Sequence, residues 1–388
     1  MKILVVSQYY YPEPFRITDI CETLVNRGHN VTVLTGQPNY PEGEIYAGYK
    51  NCYSFENING VKIFRTKIHP RKKESMHLFL NYLSFPYYAN KTLRKIDKDF
   101  DLVFINQLSP VFSAIPGLKY ANKHKVKSYL YCLDLWPESL VTAGIHTESI
   151  IYKIFGKISN RLYNKANEVL VTSKSFVKKF EALGIKVKYL PQYAEDEFNT
   201  LPYYKKEEFK FQCTFAGNIG ETQSVETIMY AANELKEHKD IIINIYGTGT
   251  KFAEIQSLKV SMKLDNVLIH GRKDLSEMPS IYAKSDALLV TMKKNALLSM
   301  TLPGKVQTYL ASGKPIIGSI DGETKKVIQE SGAGYVCEAE DYVTLSNLIL
   351  EAKANPNLST MGESGRRYCN EYYNKSTFFE QLEQIFKE

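Results

Sequence analysis

Short apolar runs rich in β-branched residues alternate along this chain with amphipathic stretches long enough to form helices. Six such runs occupy the first half, at residues 3–7, 31–35, 61–65, 102–106, 128–133 and 169–172. After a polar, tyrosine-bearing stretch at 192–209, six more follow at 212–216, 241–246, 267–269, 287–291, 315–318 and 335–337. Strands that alternate with helices indicate parallel sheets. The pattern therefore predicts an α/β protein with two Rossmann-like domains, each built on a doubly wound parallel sheet.

The break at 192–209 marks the predicted domain boundary. We predict a first domain over residues 1–195 and a second over 206–373, and a chain of 388 residues is long enough for both. A final amphipathic helix at about 374–388 is expected to pack back on the first domain. Ligands of doubly wound sheets bind beyond the carboxyl ends of the strands, so we expect the functional site in a cleft between the two halves.

Composition and charge narrow the class of protein. The chain is 44% hydrophobic and 23% charged, as in soluble globular proteins, and it has no run of 18 apolar residues that could span a bilayer. Its amino-terminal apolar run is short and is interpreted as a first strand rather than a signal peptide. Six scattered cysteines without a C-x-x-C pair indicate free thiols in a reducing cytoplasm. The net charge of +7 predicts an anionic partner: a nucleotide, a lipid headgroup or a nucleic acid.

The segment from Thr301 to Gly318 is the most informative for chemistry. Proline at 303 and glycine at 313 are placed to begin and end a helix that lies between two strands. A helix N-terminus offers unpaired N–H groups and partial positive charge, and Lys305 in the first turn adds a full charge. Pro303, Gly304 and Lys305 therefore predict a diphosphate site. The alternative is a helix that only packs its apolar face while Lys305 is solvated.

Two further glycine turns follow predicted strands of the second half. Gly217 and Gly220 follow its first strand, and Gly247 follows its second. Glycines let the backbone approach a ligand, and Asn218 and Gln223 beside the first turn can supply neutral hydrogen bonds. The spacing matches neither G-x-G-x-x-G nor a Walker A loop, so nicotinamide or ATP binding is not indicated. An ordinary turn between a strand and a helix is the alternative at each position.

In the first half, aromatic and acidic residues follow two predicted strands. Phe15 and Arg16 come after three tyrosines at the end of the first strand, a combination that suits stacking and hydrogen bonding to a sugar. Asp134 follows the fifth predicted strand, two residues before the only tryptophan, Trp136. A carboxylate there can take a proton from an acceptor hydroxyl or bind sugar hydroxyls, although it can also simply cap a turn. Glu138 is open to the same two interpretations.

Several strings together carry a family resemblance. YPEPFR at 11–16, PNYPEG at 38–43 and PGKVQTYL at 303–310 occur together with DLWPES at 134–139 and FAGNIG at 215–220. With these strings the chain resembles the family-four retaining GT-B glycosyltransferases over nearly its whole length. Within that family it is similar to bacterial surface-polysaccharide enzymes, including those that transfer N-acetyl-L-fucosamine.

The resemblance implies a metal-independent hexosyltransferase that needs no cofactor. Such an enzyme would move a sugar, with retention of configuration, from a uridine-diphosphate (UDP) sugar to a polyprenyl-diphosphate-linked acceptor in O-antigen or capsule synthesis. We assign Asp134 to the acceptor hydroxyl and Lys305 to the leaving diphosphate. The expected donor-binding residues are Gly217, Asn218, Gly220, Gln223, Gly247, Arg272, Lys293, Pro303, Gly304 and Thr308. The expected acceptor-binding residues are Glu13, Phe15, Arg16, Trp136 and Glu138.

Two departures from the family pattern bear on the donor site. The family's pair of glutamates, separated by seven residues, would fall at Met300 and Thr308, where this chain has no carboxylate. The arginine and lysine of the family's phosphate loop are replaced by a neutral asparagine and glutamine. We therefore expect the Thr308 hydroxyl to serve the ribose, and Lys305, Lys293 and the helix N-terminus to meet the phosphate charge.

A basic and aromatic segment runs from Lys67 to Lys98. It has eight Lys or Arg against two acids, with aromatic and aliphatic residues between the basic clusters. This composition predicts a surface that meets anionic lipid and places the protein peripherally on the inner face of the bacterial cytoplasmic membrane. An ordinary helix pair with solvated lysines is the alternative. The chain has no recognised nucleic-acid module, so we expect no nucleic-acid partner.

The sequence also bears on metal dependence and on two alternative functions. The D-x-D strings at 97–101 have the form found in metal-dependent transferases, but they precede a strand in a charged turn, and we expect no metal there. A non-hydrolysing UDP-sugar epimerase can share the two-domain architecture. The missing glutamate pair also fits a catalytically silent binding subunit.

Overall fold

The computed structural model describes residues 1–71, 75–202, 204 and 210–388. Contacts between residues divide the chain into two compact units. Unit 1 comprises Met1–Thr172, Phe176–Tyr189 and Glu388, and unit 2 comprises Ser173–Ser175 and Leu190–Lys387.

Unit 1 is built on an eight-stranded sheet in the order β3-β4-β2-β1-β5-β6-β7-β8. Its strands are β1 (Lys2–Ser7), β2 (Asn30–Gly36), β3 (Ser54–Ile58), β4 (Val61–Thr66), β5 (Leu102–Gln107), β6 (Lys127–Cys132), β7 (Glu168–Val171) and β8 (Lys188–Tyr189). All neighbours are parallel except β3 and β4, which form an antiparallel hairpin at the edge. The six predicted strands of this half are confirmed.

The edge hairpin was not predicted from the apolar pattern. Alternate residues of β3 are exposed, so the strand lacks the continuous apolar run that marks the buried strands. Its local signal is the Asn59–Gly60 turn, in which both residues have positive φ, of 49° and 81°. An Asn-Gly pair between two strands is typical of a two-residue hairpin.

The helices of this half cover the faces of the sheet. They are α1 (Ile17–Asn26), α2 (Ser75–Thr92), α3 (Ile115–His124), α4 (Ile150–Tyr163) and α5 (Lys174–Ala182). Short 3-10 helices follow β5 and β6, at Val111–Ala114 and Glu138–Ala143. The central strands β1 and β5 are almost wholly buried, as a parallel sheet covered on both faces requires.

Unit 2 contains a six-stranded, fully parallel sheet in the order β11-β10-β9-β12-β13-β14. Its strands are β9 (Phe211–Ala216), β10 (Ile241–Tyr246), β11 (Val267–Gly271), β12 (Ala287–Thr291), β13 (Ile316–Ser319) and β14 (Gly334–Cys337). The helices are α6 (Val225–Glu234), α7 (Phe252–Met262), α8 (Met278–Lys284), α9 (Gly304–Ser312), α10 (Gly322–Ser331), α11 (Tyr342–Ala354), α12 (Leu358–Tyr372) and α13 (Lys375–Lys387). All six predicted strands of this half are present.

The last helix is grouped differently from the prediction. We placed 374–388 on the first domain, but α13 belongs to unit 2 by its contacts, where Phe378 and Phe379 pack on the ring of Tyr193 at centroid distances of 4.8 and 5.7 Å. Only Glu388 belongs to unit 1, where its backbone carbonyl accepts a 2.7 Å hydrogen bond from Lys127. The contact division also ends the main part of unit 1 at Tyr189, a few residues before the predicted boundary.

None of the described helices has the length and apolar character needed to span a bilayer.

Candidate functional site

Two loops of unit 2 are in close backbone contact through glycine turns at the carboxyl ends of β9 and β10. A Cβ on Gly247, whose φ is +138°, would lie 1.8 Å from the carbonyl oxygen of Gly217. A Cβ on Gly249, at φ +157°, would lie 2.4 Å from the carbonyl oxygen of Ile219. Only glycine adopts these backbone angles without strain. The loops therefore need glycine to meet, and they expose backbone at the end of the sheet where doubly wound folds bind ligands.

Alanine at Gly247 will destabilise unit 2 strongly, because the new methyl group must displace the Gly217 carbonyl. We expect a loss of more than about 3 kcal/mol in the free energy of unfolding by urea. Gly271 is the matched control, since it also has positive φ, +72°, but has no heavy atom within 4 Å of its added Cβ. Gly271→Ala should cost only about 1 kcal/mol. Equal losses in the two variants would contradict the proposed contact.

Helix α9 begins and ends where the sequence predicted. Pro303 precedes its first residue, Gly304, and Gly313 ends it with a left-handed φ of 66°. Lys305, in the first turn, points back to the turn after β9. A Cβ on Gly217 would lie 2.6 Å from the Lys305 Nζ. The helix N-terminus and the glycine turns thus form one positively polarised surface.

The Lys305 ammonium has mostly uncharged surroundings. It donates a 2.5 Å hydrogen bond to Oε1 of Gln223 and lies 4.3 Å from the ring centre of Phe215. Burial lowers the pKa of Lys305 to about 7. The charged ammonium loses water when it is buried, and few polar groups of the protein take the place of that water. A ligand with negative charge would restore the ordinary preference for the protonated form.

Lys293 was expected to meet the phosphate charge, but acidic side chains of the protein already neutralise it. Its ammonium forms an ion pair with Glu221 and lies 3.9 Å from Glu226, and Lys251 pairs with the same Glu221 at 3.2 Å. These partners raise the pKa of Lys293 and lower that of Glu221. Lys293 would have to exchange Glu221 for a phosphate to act as predicted. The partner was missed because 72 residues separate the two in sequence.

Thr308 lies beside a carboxylate that the sequence interpretation missed. Its hydroxyl donates a 2.9 Å hydrogen bond to Oε2 of Glu195 and also lies 3.2 Å from the carbonyl oxygen of Gly304. Glu195 belongs to the segment between the two sheets, 113 positions earlier in the chain. The helix itself has no glutamate at this position, but a glutamate from another segment supplies the charge.

Aromatic rings and a cavity flank the glycine turns. Tyr246 and His270, at the ends of β10 and β11, stack with centroids 4.2 Å apart and planes 7° from parallel. Arg272 follows this pair and is exposed. Asn218 is also exposed, and its amide lies over Gly220. A cavity of about 360 Å³ lies at the ends of β12 and β13, lined by Lys294, Asn295, Ala296, Ser299, Asp321 and Gly322.

In unit 1, Asp134 lies at the carboxyl end of β6. Its Oδ2 accepts a 2.7 Å hydrogen bond from the Ser109 backbone N–H, and its carbonyl accepts one of 2.9 Å from Gln107. The Trp136 indole N–H donates to the Ser109 hydroxyl at 2.9 Å. Burial raises the pKa of Asp134 despite the bond from Ser109. The carboxylate is therefore oriented, partly exposed and more basic than an ordinary aspartate.

An aromatic cluster lies at the ends of β1 and β2. The rings of Tyr9 and Phe15 stack at 5.1 Å, and Tyr40 packs against both at 5.6 and 5.1 Å. The cluster joins two loops. Tyr9 within it is buried, whereas Phe15 and Tyr40 are partly exposed. Arg16, the residue before α1, is partly buried.

The structure gives Glu13 and Glu138 structural contacts rather than open carboxylates. Glu13 is buried and accepts hydrogen bonds from the backbone N–H groups of Tyr10, Asn39 and Tyr40 at 3.2, 2.9 and 2.8 Å. Burial nevertheless raises the pKa of Glu13 to about 7. Glu138 is also buried and pairs with Lys179 at 2.8 Å. Glu13 thus holds two loops in place and Glu138 pairs with helix α5, which differs from the acceptor contacts we expected.

The D-x-D residues lie at the other end of the sheet from Asp134. Asp99 pairs with Lys2, and Asp101 accepts a 2.7 Å hydrogen bond from the Lys2 backbone N–H just before β5. Across residues 1–71, 75–202, 204 and 210–388, no group of three or more His, Cys, Asp and Glu is arranged to hold a metal ion.

Comparison with known proteins defines the class to which this fold and site belong. The family described as Glycosyltransferase Family 4 matches residues 16–191, and that described as Glycosyl transferases group 1 matches residues 200–368. The chain belongs to these glycosyltransferase families and has the GT-B fold of two parallel-sheet α/β domains.

Among curated proteins, the chain is similar to bacterial sequences that include the following two. It is 26% identical over 281 residues to the probable glycosyltransferase WbjE of Pseudomonas aeruginosa, with 67% of each chain covered. It is 23% identical over 367 residues to the putative colanic acid biosynthesis glycosyl transferase WcaI of Escherichia coli, with 87% of this chain and 86% of the relative covered.

Solved structures share the fold at low sequence identity. Sucrose-phosphate synthase from Thermosynechococcus elongatus superposes with a TM-score of 0.77 at 15% identity, covering 100% of this chain and 98% of the other. Anabaena HepE in complex with UDP and glucose has a TM-score of 0.73 at 12% identity, with 100% of both chains covered.

Proposed function

We propose that this glycosyltransferase moves a sugar from a UDP-sugar to a polyprenyl-diphosphate-linked acceptor, with retention of configuration and without a metal ion. N-acetyl-L-fucosamine or another N-acetylated hexosamine is the proposed sugar, and bacterial O-antigen or capsule synthesis the proposed setting. The main support is Lys305 at the start of α9, beside the glycine turns. Further support comes from relatives: HepE was solved with UDP-glucose, and WcaI is named for colanic acid biosynthesis.

Donor activation would rest on charges of the protein itself. As the bond between the sugar's anomeric carbon and the diphosphate oxygen breaks, UDP leaves with the electron pair and gains negative charge. The α9 N-terminus and Lys305 meet that charge, which is the role a divalent cation has in metal-dependent transferases. Glu195, which accepts a hydrogen bond from Thr308, would also accept hydrogen bonds from the ribose. The flat Tyr246–His270 pair offers a stacking surface for the base.

Asp134 would accept the proton of the attacking hydroxyl in unit 1. The acceptor oxygen bonds to the anomeric carbon on the face that UDP leaves, and its proton passes to the carboxylate. The partly exposed rings of Phe15 and Tyr40 would hold the apolar face of the acceptor sugar.

The test is transfer by the purified chain in EDTA. A thermal-shift screen of nucleotide sugars identifies the donor, since a ligand that binds only the folded state raises the unfolding temperature. Transfer of that donor's sugar to a lipid diphosphate, with an α or β linkage matching the donor by NMR, supports the proposal. Conversion of the donor without acceptor would identify an epimerase instead. Binding without any transfer would identify a silent subunit, and a guanosine preference would overturn the UDP assignment.

Membrane docking is the proposed role of α2 and α4. The described part of the predicted lipid-facing segment exposes Phe79, Leu80, Leu83 and Tyr87 on α2, with Phe79 51% exposed. Residues 72–74 of that segment lie outside the described chain. Helix α4 exposes Ile150, Ile151 and Ile154, interleaved with exposed Lys153 and Lys157. Both helices contact the 3-10 helix Val111–Ala114, so their apolar residues border one region of unit 1. Apolar side chains with a basic rim suit an anionic bilayer surface.

Glutamate at Leu80 and Leu83 together will weaken binding to vesicles of phosphatidylglycerol and phosphatidylcholine at least tenfold. The double variant removes apolar burial in the bilayer and adds two repelled charges. Ile154→Glu on α4 should have the same direction of effect. Leu275→Glu is the matched control, because Leu275 is 63% exposed but lies in unit 2. Sedimentation with vesicles measures the affinity, and equal binding by the double variant and the control would reject the surface.

A further inference from the structure

Arg71 belongs to the basic segment from Lys67 to Lys98, but its guanidinium packs against the aromatic cluster of unit 1. It lies in the loop between β4 and α2, and its backbone N–H donates a 2.8 Å hydrogen bond to Oδ1 of the buried Asn39. Its guanidinium lies 5.5 Å above the centre of the Tyr40 ring and close to the phenol of Tyr9. Arg71 is thereby held against the aromatic cluster.

The surroundings of this guanidinium are unusual for a largely buried charge. Within the described ranges, its strongest charge interactions are with the phenols of Tyr9, Tyr82 and Tyr40, and its charge also acts on the carboxylate of Asp134. No described carboxylate lies within ion-pair distance of it. A buried charge is costly unless an opposite charge accompanies it. The site therefore suits an anion supplied by a ligand.

Asp134 shows where that ligand would lie. The positive charge of Arg71 acts on both Tyr82 and Asp134. The Tyr82 ring packs against Trp136, whose indole donates to Ser109, and the Ser109 backbone N–H donates to Asp134, so the acceptor carboxylate lies near the guanidinium. Arginine presents paired N–H donors that match two oxygens of a phosphate. One ligand that carries a hydroxyl and a phosphate can thus engage both residues. The alternative is that Arg71 only closes the loop by stacking on Tyr40.

We propose that Arg71 binds the phosphate of the acceptor and thereby selects sugar phosphates over neutral glycosides. The inference rests on the proposed function in assigning the acceptor to unit 1. Phosphate could also come from the donor or from a phospholipid headgroup. The experiment has to separate these three sources.

Trp136 provides a reporter, because it is the only tryptophan and its ring centre lies 6.3 Å from that of Tyr82. Inorganic pyrophosphate is titrated against the whole chain, without donor, and tryptophan fluorescence is recorded. We expect the apparent pyrophosphate affinity reported by Trp136 to fall about 10- to 100-fold in Arg71→Gln and several-fold in Arg71→Lys. Lys284→Gln is the matched control, because Lys284 also lies over a tyrosine ring, that of Tyr204, at 5.8 Å. It should bind as the wild type does.

Three results with Arg71→Gln, and one with Arg71→Lys, would overturn the proposal. The first is pyrophosphate binding at wild-type affinity by Arg71→Gln. The second is loss of the Trp136 signal in Lys305→Met but not in Arg71→Gln, which would assign the phosphate to the donor site. The third is a defect of Arg71→Gln confined to phosphatidylglycerol vesicles, which would assign it to a headgroup. If Arg71→Gln does not fold, the test uses Arg71→Lys instead. A wild-type pyrophosphate affinity in Arg71→Lys would then overturn the proposal. The experiment measures binding and not sugar transfer. Its result can therefore be interpreted even if the proposed function is wrong.

Discussion

Asparagine in place of Asp134 will slow sugar transfer by roughly two to four orders of magnitude while leaving UDP binding intact. Asparagine preserves the shape of the side chain and can still accept the hydrogen bond from the Ser109 backbone N–H. It cannot take a proton from an acceptor hydroxyl. Single-turnover rates with bound donor measure the loss, and calorimetric titration with UDP checks that the donor site is unaffected.

The pH profile gives this prediction a second readout. Burial raises the pKa of Asp134, so the carboxylate is lost at a higher pH than for an ordinary aspartate. The rate of transfer should therefore decline as the pH falls through that raised pKa. The variant should lack this acid limb, because its amide does not titrate.

Asp99→Asn is the matched control for the same chemical change. Asp99 is exposed, pairs with Lys2 and lies before β5, at the far end of the sheet from Asp134. Its replacement should leave transfer unchanged within about twofold. Wild-type transfer by Asp134→Asn, or an equal loss in both variants, would remove Asp134 from the mechanism.

The features that could be predicted from the sequence are those set by residues close together in the chain. Apolar runs located the strands because a strand buried on both faces of a parallel sheet must be apolar throughout. The helix from Gly304 to Ser312 was located by the proline and glycine at its two ends. Asp134 was located because it directly follows such a strand.

What the sequence did not predict are contacts between distant segments. The pairing of Glu195 with Thr308 and of Glu221 with Lys293 joins residues that have no periodic relation. Arg71 was counted within a basic surface, although the fold turns it into the aromatic cluster. Glu13 was assigned to a ligand, but three backbone N–H groups occupy it. In each case, tertiary packing decides which charges stay free to bind a ligand.

Methionine in place of Lys305 will weaken UDP binding by roughly 100- to 1,000-fold, the second large effect we expect. Methionine fills a similar volume but removes the ammonium that lies beside Gly217. A charged hydrogen bond to phosphate in such a site is worth about 3–4 kcal/mol. Calorimetric titration with UDP measures the change. Lys293→Met is the matched control and should lose less than about tenfold, because Lys293 is already paired with Glu221.

The low pKa of Lys305 makes this effect depend on pH in a specific direction. With a pKa of about 7, Lys305 is increasingly neutral above pH 7 in the unliganded protein. The diphosphate favours the charged form, so binding above pH 7 takes up a proton and the affinity for UDP falls as the pH rises, by up to about tenfold per pH unit. Titration at pH 8 in two buffers with different ionisation enthalpies detects that uptake.

Lys305→Met should show neither the uptake nor the slope between pH 7 and 9. Taking the difference between the two proteins removes any titration of UDP itself. A wild-type affinity that is constant across this range would show that Lys305 stays charged without ligand, and the diphosphate would then not be what stabilises its charge. UDP binding at wild-type affinity by Lys305→Met would exclude the α9 N-terminus as the diphosphate site, because Lys305 contacts both the turn at Gly217 and Gln223.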